Sequence, residues 1–71
     1  MSSRVKNVQE YLKELGEAKK EKPDQIREAI DIYIDLWKKT IEKGIVETTD
    51  DIDTALSKID KQGGLYAAAG E

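Results

Sequence analysis

Between Pro23 and Gly44 the chain carries Ile26, Ala29, Ile30, Ile32, Tyr33, Ile34, Leu36, Trp37 and Ile41 at helical spacing. At 100° per residue these positions cover about 200° of a helical wheel, roughly twice the stripe that a helix on the surface of a globular protein turns to its core. Such a segment has to touch two other elements, so a chain built around it is a helical bundle. Its ends are marked as clearly as its face. Pro23 suits a first helical turn, where its fixed φ is already correct and its missing N–H costs nothing. Asp24 and Glu28 sit at the positive end of the helix dipole, and Lys38, Lys39 and Lys43 crowd the negative end. Gly44 is expected in the left-handed conformation just past the last turn. These signals predict a helix over about 23–43.

Two shorter stripes flank it. Val5, Val8, Leu12 and Leu15, widened by Tyr11 and Ala18, predict a first helix over about 4–20, with Ser2 or Ser3 as its N-cap and Gly16 as a soft spot. Ile52, Ala55, Leu56 and Ile59 predict a third over about 49–62. Thr48 or Thr49 is its expected cap, Asp50, Asp51 and Asp53 load its first turn, and Gly63-Gly64 ends it. Ile45 and Val46 are expected to close one end of the core. No stretch alternates as a strand does. The expected fold is all-α: an up-down-up antiparallel three-helix bundle over residues 1–64, its helices reversed by short connections. Residues 65–71 are expected to form a frayed C-terminal tail.

Composition narrows the function. The chain has 71 residues, no Cys and no His, which removes thiolate and imidazole chemistry together with disulfides. Twelve basic residues against fifteen acidic ones give a net charge of −3, the wrong sign for a general nucleic-acid binder. No apolar run approaches the length of a membrane span, and none follows the first charge as a signal peptide requires. A cytoplasmic, soluble chain is the expectation. Its preference for Lys over Arg and its single Asn, Asn7, add a hint of a thermophilic source.

Few residue patterns invite chemistry. Asp24, Glu28, Asp31 and Asp35 form an acidic ridge on the polar face of the central helix. Di-iron bundles build sites on such ridges, but they also need Glu-x-x-His. Asp50-Asp51-Ile52-Asp53 lacks the loop of a calcium site and reads as helix capping. A domain this small is not expected to enclose a substrate pocket, so no enzyme, cofactor, metal or small-molecule substrate is expected. Tyr and Trp carry interface energy out of proportion to their number. The central helix also has more apolar arc than the narrow third stripe can cover. An open groove beside it is therefore expected, formed by Ile32, Leu36, Tyr33 and Trp37 with Tyr11 next.

Glu28-Ala29-Ile30 followed by Tyr33 and Trp37 resembles a helix of tetratricopeptide modules or of microtubule-interacting-and-trafficking modules. The second family consists of three-helix bundles that bind peptide helices, so the likeness implies helix binding here as well. The function expected is a small non-enzymatic interaction module that takes a partner helix, or a second copy of itself, in that groove. The alternative is a nucleic-acid-associated regulator using Lys6, Lys13, Lys19, Lys20 and Lys22 on the first helix.

Overall fold

A computed structural model describes residues 6–70. Four α-helices follow one another: α1 over Val8–Ala18, α2 over Asp24–Glu42, α3 over Ile52–Lys61 and α4 over Leu65–Ala69. A 3-10 turn, Lys19–Glu21, prolongs α1. The all-α expectation holds, and α2 lies within a residue of its predicted bounds. Its end is a complete Schellman cap: Gly44 has φ 79°, its N–H donates to Ile41 O (2.9 Å), and the Ile45 N–H donates to Thr40 O (3.2 Å).

α1 starts later than predicted. Ser2, Ser3 and Val5 lie outside the described residues, but Asn7 is the N-cap that the helix uses. Its side chain accepts from the Glu10 N–H at 2.8 Å, and the Glu10 carboxylate accepts from the Asn7 N–H at 3.1 Å. This reciprocal capping box satisfies two donors at once, which no upstream serine can do for these amides. The next two donors go elsewhere: Val8 N–H to Asp50 O (2.9 Å) and Gln9 N–H to Thr48 O (3.1 Å). The Ile52 N–H donates to Lys6 O (2.9 Å), so Asn7 and Asp51 form an antiparallel bridge.

That bridge also explains the start of α3. The Thr48 and Asp50 carbonyls are occupied by α1, so Thr48 and Thr49 cannot open a helix, and the cap moves to Asp51. Its carboxylate accepts from the Thr54 N–H (3.2 Å) and the Thr54 hydroxyl (2.6 Å). Asp50 holds the turn before it, accepting from the Glu47 N–H (3.0 Å) and from Lys58 Nζ (2.6 Å). The Lys58 ammonium, more than the Glu47 amide, holds the Asp50 carboxyl below its ordinary range.

The tail is the main correction. Residues 65–69 are not frayed: they form α4, with Ala68 and Ala69 buried. Gly63 and Gly64 both take positive φ, 95° and 113°, and reverse the chain through a second Schellman cap. The Gly63 N–H donates to Asp60 O (3.0 Å) and the Gly64 N–H to Ile59 O (3.1 Å). A five-residue helix cannot sustain itself in water, so docking is what forms it. α4 packs against α2 and α3, and α3 in turn packs against α1 rather than α2. The place beside α2 expected for the third helix is thus taken by α4, because two glycines and three small side chains let a short helix come in close.

Val8, Trp37, Val46, Ala55, Ile59 and Ala68 form the buried cluster, with Tyr11, Leu12, Tyr33, Ile41, Ile45, Ile52 and Leu65 packed around it. Ile45 and Val46 close the core as expected. α1 and α2 are antiparallel, since Lys19 pairs with Asp31 whereas Tyr11 meets Tyr33 and Trp37.

Candidate functional site

Trp37 is fully buried at the meeting point of three aromatic rings. Tyr11 and Tyr33 stand edge-on to it, with centroids 5.9 and 6.3 Å away, and edge-on to each other at 6.3 Å. This is the arrangement that the ring quadrupoles favour. The two tyrosine hydroxyls are 3.2 Å apart. Burial, and then the bond to Tyr33, push the Tyr11 hydroxyl up to about 12. The indole N–H of Trp37 is buried with no hydrogen-bond partner among the described residues. The cluster is a neutral aromatic wall.

One side of that wall is open. A recess of about 410 Å3 is lined by Tyr33 and Trp37 of α2, Leu56, Ile59 and Asp60 of α3, and Gly64 and Leu65 where α4 begins. It exists because of where α4 starts. α4 runs from the Tyr33–Trp37 level to a close approach between Gly70 and Lys43, so it covers only the C-terminal half of α2. Before that level, residues 24–29 of α2 are all exposed. Ile26 is 46% exposed, Ile32 56% and Leu56 46%. Ile26, Ala29 and Tyr33 follow a three-then-four spacing, so they form one stripe leading out of the recess. Gln25, Ile26, Ala29, Ile32 and Tyr33 occupy adjacent positions on the wheel, and none is charged.

The five expected site residues are divided by this geometry. Tyr33 and Trp37 line the recess. Ile32 lies outside it, on the exposed flank of the same helix. Leu36 is 5% exposed, at a level that α4 covers, and belongs to the interior. Tyr11 does not line the recess and instead buttresses Tyr33 and Trp37 from α1. Leu56, Ile59, Gly64 and Leu65 were not among the expected residues. The α3 stripe and the double glycine were visible in the sequence, but their proximity to Tyr33 depends on α4 docking.

The other candidates resolve into structure. Along the acidic ridge, Asp24 pairs with Arg27, Asp31 with Lys19 and Asp35 with Lys39 at 3.4 Å. No group of three metal-ligating side chains converges among the described residues. On the basic face, Lys6 pairs with Glu14 at 2.6 Å and Lys20 with Glu17 at 3.4 Å. A second groove of about 420 Å3 runs between α1 and α2 where Gly16 leaves space, but Lys13, Lys19, Asp31, Asp35 and Lys38 line it with mixed charge. Among the described residues, no helix is long and apolar enough to cross a membrane. Compared with known protein families, curated proteins and solved structures, the chain matches none.

Proposed function

We propose that this chain is a small non-enzymatic interaction module of the cytoplasm that receives an amphipathic helix of another protein in the recess beside α2. The reading takes α1, α2 and α3 as an up-down-up scaffold with α4 docked against α2. One observation carries it: from half-buried Tyr33 the apolar recess continues along α2 onto exposed Ala29 and Ile26 without an intervening charge, a stripe long enough for two turns of a helix. Burial of that surface would drive binding.

Charge selects the occupant. Asp60 is the one charged side chain lining the recess, and Asp53 shares its face two turns earlier. On α2, Glu28 borders one edge of the uncharged sector, and Asp35 there is paired with Lys39. Asp53, Asp60 and Glu28 on a chain of net charge −3 favour a partner helix with Lys or Arg beside its apolar face. A second copy would bring the same acids against these, so self-association through this surface is disfavoured. The nucleic-acid reading is weaker, because Lys6, Lys19 and Lys20 are engaged with Glu14, Asp31 and Glu17.

The test uses two designed helices, one of Leu and Lys and one of Leu and Glu, titrated while Trp37 emission is followed. Saturable binding of the Leu–Lys helix, lost in Leu56→Asp and absent for the Leu–Glu helix, supports the reading. Equal response to both helices, or no response to either, overturns it. Retention of a labelled duplex at about 100 mM salt would transfer the function to α1.

A further inference from the structure

We propose that α4 is a detachable internal occupant of the groove on α2, and that a partner helix gains its full footing by displacing it. This rests on the interaction reading above and adds its regulation.

Three observations converge. First, α4 lies on the same apolar face of α2 that the recess opens, continuing it toward Lys43, so α4 and a docked helix would compete for one track. Second, although α4 lies close against α2, it is held there mostly by small side chains. Only Leu65, Ala68 and Ala69 turn inward, whereas Tyr66 is 63% exposed and Ala67 is exposed. Two alanines bury little area, and five residues fall short of a helix stable by itself. Third, the joint is two glycines, which regain wide backbone freedom once their cap opens. Gly63 and Gly64 both sit at positive φ, and a Cβ on Gly64 would meet nothing within 4 Å, so the second glycine answers a conformational need and not a packing one. α2 by contrast is nineteen residues long and is packed on α1 through long side chains and an ion pair. Sub-global opening at the weakest cooperative unit would release α4 while α1, α2 and α3 stay folded. Release would bare Leu36, Trp37 and Thr40, turning a recess into a groove along the whole of α2.

Hydrogen exchange on the full chain tests the detachment without any partner. The amides of Ala68 and Ala69 should exchange at least tenfold faster than those of Trp37 and Thr40, through an opening that denaturant hardly affects. Exchange of both sets through one global opening would overturn the proposal. Ala68→Asp in the full chain tests the displacement. It should keep α1, α2 and α3 helical, make Trp37 accessible to iodide, and bind the Leu–Lys helix at least tenfold more tightly than the parent. Global unfolding of that variant would overturn the proposal, showing α4 to be part of the obligatory core. Equal affinity of parent and variant would overturn it and leave the interaction reading standing. Failure of both to bind would overturn the interaction reading and the displacement together, with exchange still judging the detachment.

Discussion

The two sides of α2 are built on different principles. Toward α1 it presents Tyr33 and Trp37 to Tyr11, and pairs Asp31 with Lys19, so the seam is made of large rings and charged ends of long side chains. Toward α4 it meets alanines, a double glycine and an open recess. The first side has defined geometry that only a few rotamers satisfy. The second is a close approach made by small side chains, each of which buries less apolar surface than a ring does. In a chain this short the total margin is a few kcal/mol, so a difference between the two sides bears directly on how the structure opens.

Substitutions can break or sharpen this contrast. The largest effect is expected at Trp37, which both sides share with Tyr33 and which is the more deeply buried of the two. Trp37→Ala should cost about 3–5 kcal/mol and leave the chain largely unfolded at room temperature by circular dichroism. Retention of a cooperative melt would mean that the two sides do not meet in one core. Next comes Gly64→Ala, which forces an alanine to φ 113°. A loss of about 1–3 kcal/mol, with Trp37 becoming quenchable before α2 melts, would place the weakness at the α4 joint. A melt that falls uniformly would instead tie α4 to the whole fold. On the other side, Gly16→Ala should stabilise by roughly 0.5–1 kcal/mol. Gly16 lies inside α1, and a Cβ there meets nothing within 4 Å. A thermal melt shifted downward would show that the α1–α2 groove needs its glycine.

The smallest effect concerns acid. Asp50 and Asp51 have carboxyl pKa values lowered by Lys58 and by Thr54 respectively. Depressed in the folded state, each contributes stability that is present above its unfolded pKa, about 3.9, and lost as pH falls through the folded value. Both are solvent-accessible, so the contribution is screened. Urea midpoints measured from pH 5 down to pH 2 should decline, and Asp50→Asn should flatten the decline slightly. An unchanged slope would remove the Asp50–Lys58 pair from the stability of the α1–α3 junction.

How much of this was legible in the sequence differs between the same two sides. Pro23, Gly44 and the 200° arc locate α2 because each acts within a few residues of itself. Burial of Trp37 was not settled by its place in the arc, because the same position suits a groove residue as well as a core one. The start of α1 was legible in principle, since Asn7 and Glu10 stand at capping-box spacing. What outweighed the earlier serines, however, is a bridge to Asp51 that no local pattern announces. α4 was not legible. Leu-Tyr-Ala-Ala-Ala is too short for a period, and its helicity depends on a surface that exists only after α2 and α3 are in place. The composition of the recess inherits that difficulty. The arc identifies which residues have excess apolar surface, and only the level at which α4 begins decides that Leu36 is covered while Ile26 and Ile32 are not.

The Asn7–Asp51 bridge has a consequence for the order of assembly. It joins residues on opposite sides of the α1–α2 hairpin, far apart in sequence, so its backbone bonds form only once that long intervening loop has been closed. Contacts of such long sequence separation come after local ones. Ile52→Pro, which removes the amide donated to Lys6 O at a first-helical position that suits proline, is therefore expected to accelerate unfolding more than it slows folding. The bridge acts as a latch on an assembled hairpin, and its influence lies in how long the native state lasts once reached.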